Sequence, residues 1–183
     1  MRRKTIAILG VDGSGKSTAI NNVSKIYGER CTVTYMGNTR FEDNNIEKLK
    51  GKRFRGPIII LLIYRCFWNR YRRANKSGRL ALFDRYVHEI FINASGKYKI
   101  IYTLLYKYLF PMPNRIVYLY CSPEISLNRK SDIADADVFK AMKKRFDDYF
   151  KNRKGVLCLD TGLLNEDEIT DRINNYINNN FEL

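Results

Sequence analysis

Thr5-Ile6-Ala7-Ile8-Leu9-Gly10-Val11-Asp12-Gly13-Ser14-Gly15-Lys16-Ser17-Thr18 runs from an apolar stretch through a glycine-rich turn into a helical pattern. Gly10 to Ser17 fit G-x-x-x-x-G-K-[ST] at every fixed position, with a strand pattern before and a helix pattern after, so the stretch reads as a phosphate-binding P-loop. Gly10, Gly13 and Gly15 let the backbone bend tightly and turn its N–H groups inward. With the free amides of the helix start, the loop from Gly10 through Asp12, Gly13, Ser14 and Gly15 makes a concave anion site. Lys16 is expected to reach the β- and γ-phosphates, Ser17 to place its hydroxyl on Mg²⁺, and Thr18 to lie near the α-phosphate.

Outward from that loop, apolar residues recur at helical spacing through Ala19, Ile20, Val23, Ile26 and Tyr27, and Gly28 is a natural stop. Residues 31–35, Cys-Thr-Val-Thr-Tyr, are rich in β-formers and read as a second strand. The polar turn after it, ending at Arg40, would lie at that strand's carboxyl end, where open α/β sheets meet their ligands. Arg40 is therefore a candidate for the acceptor phosphate, beside the plainer reading of a surface arginine. Residues 41–56 are basic and aperiodic and read as a loop with one short helix.

A helix is expected over about 58–76. Its first half is apolar nearly all round, so it should be buried or pair with another subunit, which leaves a homodimer open. Its second half mixes arginines with Tyr64, Phe67, Trp68 and Tyr71. Arg70 and its aromatic neighbours could hold a base and a phosphate, or the rings could face the core with the arginines in solvent.

Residues 79–84, Arg-Leu-Ala-Leu-Phe-Asp, form a strand ending in an acid. In a chain with a P-loop, Asp84 is a candidate for Mg²⁺ or its waters, or for orienting the acceptor hydroxyl. Arg85 follows and could clamp a phosphate. Residues 87–99 are weakly patterned, and the single histidine, His88, fits a surface or structural role, because phosphoryl transfer needs no histidine base. A tyrosine-rich helix is expected over 100–110, strands over 115–120 and 156–160, helices over about 138–152 and 166–178, and a mobile loop over 131–137. Ser122 and Pro123 open a short helix, and Asn165 with Glu168 make a capping pair for the last one.

The chain has 183 residues, 45% of them hydrophobic, which suits one domain with a sizeable core and excludes a disordered or fibrous class. Its formal net charge of +14 favours anionic ligands: nucleotides, phosphorylated metabolites, nucleic acid or acidic membranes. No apolar run is long enough to span a membrane. The chain enters a strand almost at once, which leaves no visible secretory signal. The four cysteines, Cys31, Cys66, Cys121 and Cys158, lack metal-ligand spacing and read as buried, reduced thiols in a cytoplasmic setting. Strands alternate with helices throughout, so the fold class is α/β, with a parallel sheet covered by helices on both faces and the ligand at the strand carboxyl ends.

Three groups of residues resemble the thymidylate kinase-like branch of the nucleoside monophosphate kinases. They are Asp12-Gly13-Ser14-Gly15-Lys16-Ser17-Thr18, the signature Asp84-Arg85-Tyr86, and the strand 116–120 with Ser122-Pro123-Glu124 and then Arg129-Lys130. The resemblance implies a three-layer P-loop NTPase fold with a five-stranded parallel sheet, one kinase domain over 1–183 with a short lid near 129–137, and ATP with Mg²⁺ as the donor pair. Asp12 would touch the acceptor's sugar or position the reacting groups. Arg85 would hold the acceptor or transferring phosphate, and Arg129 would steady the transition state. The chain departs from the family after its second strand, where Met36-Gly37-Asn38-Thr39-Arg40 replaces the usual Arg-Glu-Pro-Gly-Gly-Thr, and after Asp84-Arg85-Tyr86, where the usual serine is missing.

The expected function is an ATP-dependent kinase whose small acceptor is a nucleoside monophosphate such as dTMP, with a sugar or sugar phosphate as the alternative. A GTPase is disfavoured because Asn75-Lys76-Ser77-Gly78 lacks the guanine-reading acid. A nucleic-acid-binding protein with a degenerate nucleotide site would explain the charge, but no single-strand or helix-turn-helix signature accompanies it.

Overall fold

The first strand sorts the molecule into two faces. β1 (Thr5–Leu9) is buried along its length. Its Ile6 and Ile8 enter one apolar cluster while Ala7 and Leu9 enter another. β3 (Leu80–Asp84) divides Leu80 and Leu82 from Ala81 and Phe83 in the same way, and β4 (Arg115–Tyr120) divides Val117 and Leu119 from Tyr118. Strands buried on both faces require helices above and below, the condition of a parallel sheet.

The computed structural model describes residues 4–37, 55–75, 78–96, 99–129 and 136–181. In it β2 (Cys31–Tyr35), β3, β1, β4 and β5 (Val156–Asp160) lie side by side in that order, all parallel. The five-stranded α/β expectation therefore stands. One face is covered by α1 (Lys16–Tyr27) and by a helix over Glu166–Asn178, through Ala19, Ile20, Val23, Ile169, Ile173 and Ile177. The Tyr27 hydroxyl donates to Asn174 Oδ1 at 2.6 Å and ties the two helices together.

The opposite face is aromatic. It is built from α2 (Arg55–Ala74), α3 (His88–Ile92), α4 (Lys99–Thr103) with a π-helical segment over Leu104–Leu109, and α6 (Ala136–Phe150); α5 (Pro123–Arg129) follows β4, and α7 is the Glu166–Asn178 helix. Phe67, Tyr71, Phe83, Tyr86, Tyr118 and Phe150 are all buried here. Ring centroids of Phe83 and Tyr86, and of Tyr118 and Phe150, are 5.0 Å apart. Truncating any of these rings would cost about 3–5 kcal/mol.

Four local expectations need correction. The helix expected over 100–110 divides into α4 and the π-helical segment, within which Tyr106 is buried in the core. The weakly patterned 87–99 contains α3. Of the two readings offered for the first half of α2, full burial does not hold, because Ile60 and Ile63 are buried while Leu61 is 66% exposed. Of the cysteines only Cys121 is buried, and the other three are half-buried free thiols. No helix among the described residues is long and apolar enough to cross a membrane.

The chain runs from β1 to one side of the sheet for β2 and β3, then crosses to the other side for β4 and β5. The order reverses at β1, which opens a crevice at the strand carboxyl ends. The register brings Ile8, Asp84 and Tyr35 level there, so the P-loop, the acid closing β3 and the tip of β2 share one rim.

Candidate active site

The turn after β1 holds its shape because two glycines stand where a side chain has no room. Gly13 has φ +76°, and a Cβ there would lie 2.5 Å from the Ser126 carbonyl oxygen. A Cβ on Gly10 would collide with the Leu119 carbonyl oxygen at the end of β4. The loop is thus seated directly on β4 and α5. At its end, the first N–H groups of α1 have no intrahelical acceptors, and together with the loop they favour a bound anion.

Lys16 turns back over this loop. Its Nζ donates to the Val11 carbonyl at 2.7 Å and lies 3.9 Å from Asp12 Oδ1. Burial, helped by the Arg85 charge, lowers its pKa to about 8, against the opposing pull of Asp12, Glu89 and Asp84. A desolvated ammonium facing an amide-lined turn is suited to an anion it can neutralise. Ser14 Oγ is buried there with no hydrogen-bond partner among the described residues.

Asp84 closes β3 at the same rim. Burial pushes its carboxyl above the usual range, and Lys16 and Arg85 oppose that shift. The next residue, Arg85, is the one non-glycine residue with positive φ among those described, at +62°. Its N–H still donates to Ile8 O at 3.2 Å, so the backbone keeps its tie to β1 as it turns. Its guanidinium bridges two carboxylates, with Nη2 2.5 Å from Asp12 Oδ1 and Nη1 2.9 Å from Glu89 Oε2. Burial opposes its charge, and Glu89 and Asp12 more than reverse that, raising its pKa above the ordinary value.

These groups line a cavity of about 760 Å³. Tyr35, Asp84 and Arg85 line it from the β2–β3 side of the sheet, Asp12, Gly13, Gly15, Lys16, Ser17 and Thr18 from the loop after β1 and the start of α1, and Arg129, Thr161, Leu164, Asn165 and Ile169 from the segments after β4 and β5. A nucleoside triphosphate is elongated, with an apolar base and a polyanionic tail, and such a trough matches it in size and polarity. Arg129 donates to the Thr161 hydroxyl at 3.1 Å and to the Thr161 carbonyl at 2.8 Å.

The donor set fits a magnesium ion carried in with phosphates. No group of three His, Cys, Asp or Glu side chains able to hold a metal occurs among the described residues. Mg²⁺ asks for less than that, because it keeps several waters and takes one or two protein oxygens beside the phosphates. Ser17 and Asp84, which both line the cavity, carry such oxygens.

The structure thus brings Asp12, Lys16, Ser17, Thr18, Asp84, Arg85 and Arg129 to one cavity. Arg40 lies outside the described residues. Arg70 is not on the cavity wall; its Nη1 donates to the Tyr35 and Gly37 carbonyls at 3.3 and 3.4 Å, bracing the end of β2. Its neighbours Phe67 and Tyr71 are core residues. His88 is also core, ringed by Tyr86, Phe91, Tyr149 and Phe150, and burial lowers its pKa to about 3. Sequence reasoning missed Tyr35, Glu89, Thr161 and Asn165. Asn165 carried a capping signal but none for the site, and Glu89 only its i, i+4 spacing from Arg85, which is common on any helix.

Comparisons with known proteins bear on the family and the fold. The family model for thymidylate kinase matches residues 8–173. Curated proteins gave no significant match. Among solved structures, deoxyadenosine kinase from M. mycoides with bound dCTP aligns with a TM-score of 0.67 at 17% identity, covering 96% of this chain and 99% of that one. The same enzyme with products dCMP and a flexible dCDP bound gives 0.67 at 18% identity, with the same coverage. With bound dATP it gives 0.62 at 16% identity, covering 95% and 99%. At these identities the structural likeness establishes the fold.

Proposed function

The chain belongs to the thymidylate kinase family of P-loop nucleotide kinases, and from that premise we propose that it moves the γ-phosphoryl group of ATP to a small acceptor seated between Tyr35 and Asp84. The observation that carries this reading is the convergence of Asp12, Lys16, Asp84 and Arg85 on one cavity beside the P-loop. Phosphoryl transfer needs alignment and charge neutralisation more than covalent help. The loop amides and Lys16 hold the β- and γ-phosphates. Arg85 meets the charge of the transferring group, and Asp84 or Asp12 orients the acceptor oxygen. Ser17 and Asp84 would hold Mg²⁺, which when bound supplies further neutralisation of phosphate charge. The part of the cavity lined by Leu164, Asn165 and Ile169, with Arg129 and Thr161, would take the base.

The acceptor in this reading is a nucleoside monophosphate such as dTMP. A sugar or sugar phosphate is the second reading, supported by the departure from the family pattern at residues 36–40. The exposed Ile58 and Leu61 on α2 support a homodimer, and the free thiols fit a cytoplasmic setting.

A screen of ADP release from ATP and Mg²⁺ against nucleoside monophosphates, nucleosides, sugars and sugar phosphates tests the proposal. One acceptor class should accelerate release, and Lys16→Ala should lower the stimulated rate by about 10²–10³-fold. Failure of every acceptor, or a Lys16→Ala rate equal to wild type, would defeat it.

A further inference from the structure

The two carboxylates on Arg85 are held differently. Glu89 lies one turn further along, in α3, with its side chain 14% exposed, and its Oε1 is buried without a hydrogen-bond partner among the described residues. Asp12 lies in the P-loop with its side chain 35% exposed, on the wall of the cavity. A carboxylate this deep releases its guanidinium partner only at the cost of an unpaired buried charge or of taking up a proton. Asp12 has solvent and Lys16 beside it and can release Arg85 at much lower cost. Arg85 in turn occupies left-handed backbone, a conformation a non-glycine residue keeps only where its surroundings hold it there.

We propose that Glu89 is a positioning residue that fixes the Arg85 guanidinium beside the phosphate cradle, and that Asp12 is its exchangeable partner, displaced from Arg85 by a phosphoryl group of the bound nucleotide. The proposal rests on the kinase reading above. A phosphate arriving at the loop repels Asp12 and offers the same Nη2 a stronger, charge-assisted contact. Arg85 then keeps Glu89 on one side and gains the phosphate on the other. Asp12, set free, becomes a carboxylate facing the acceptor. In the ligand-free protein the Asp12–Arg85 pair competes with nucleotide, so apparent affinity is reduced by the fraction of molecules in which it is closed.

Calorimetric titration with the magnesium complex of the β,γ-imido analogue of ATP tests this, with a thermal melt of each variant as control. Asp12→Asn is expected to bind the analogue about tenfold more tightly than wild type while its turnover falls, the size of one competing charge-assisted contact. Glu89→Gln is expected to bind about tenfold more weakly, because Arg85 loses its fixed partner. If Glu89→Gln does not fold, Glu89→Asp, which withdraws the same charge by one methylene, should weaken binding as well. A merely structural Glu89 would lower the melting temperature and leave the affinity of the folded protein unchanged, which would overturn the proposal. Asp12→Asn binding no tighter than wild type would overturn it too. Wild type failing to bind the analogue at all would instead bring down the kinase reading, and this proposal with it.

Discussion

At the scale of single residues the site depends on a few positions where no other side chain would serve. Gly13 combines φ +76° with a Ser126 carbonyl 2.5 Å from where a Cβ would stand. Gly13→Ala should cost about 1–3 kcal/mol and lower the melting temperature by about 2–4 °C per kcal/mol, with loss of nucleotide binding; a melt and a titration check both. Lys16 gives a pH signature. Its free-enzyme pKa of about 8 means that above that pH the ammonium must regain a proton before it can hold a phosphate. The value of kcat/KM for ATP should therefore fall about tenfold per pH unit above pH 8, and the break in kcat should come later, because bound phosphate stabilises the charged form. A kcat/KM profile flat to pH 9.5 would count against that role. The P-loop and Asp84-Arg85 were legible in sequence as neighbours, because a glycine-rich turn after one strand and an acid closing another both fall at strand carboxyl ends. Glu89 was not, since a carboxylate four residues from an arginine is common on any helix and only burial makes it special.

At the scale of elements, local chemistry and distant contacts part company. The capping box of α7 could be read directly, and both of its bonds form at 2.9 Å, from the Asn165 N–H to Glu168 and from the Glu168 N–H to Asn165. Asn165→Ala should cost about 1 kcal/mol by removing the acceptor for that orphan N–H, measurable as a shift in the urea midpoint with unchanged m-value. Because Asn165 also lines the cavity, the KM for ATP should rise in the same variant. Arg129 shows the opposite case: its tie to Thr161 spans 32 residues and two elements, and nothing local announces it. Arg70 has an aromatic setting that suggests a binder, yet two of those rings, Phe67 and Tyr71, are core, Trp68 is 36% exposed, and the arginine braces β2. The π-helical segment departs from the single helix expected over 100–110, and within it only Tyr106 is buried, a difference that a tyrosine-rich helical pattern does not announce.

At the scale of the whole molecule, the alternation in β1, β3 and β4 dictated two helical layers, and the reversal of strand order at β1 dictated where the cavity opens. The aromatic layer also sets acid stability. His88 is neutral in the fold, its pKa lowered by burial to about 3 from an ordinary 6.5. Between those values the unfolded chain holds the extra proton, so stability should fall as pH drops from 6.5 to 3, by up to about 1.4 kcal/mol per pH unit. His88→Phe should lose that slope, seen as a smaller difference between urea melts at pH 7 and pH 4.5; the opposite pulls of Asp84 and Glu89 are common to both proteins and cancel in the comparison. The central claim, that the trough after β1 passes a phosphoryl group from a triphosphate to a second molecule, meets its most direct test in one turnover with γ-labelled ATP, Mg²⁺ and the acceptor panel. The label should appear on an organic acceptor with wild type and stay in ATP with Lys16→Ala. Label that stays in ATP with wild type, or reaches only inorganic phosphate, would contradict it.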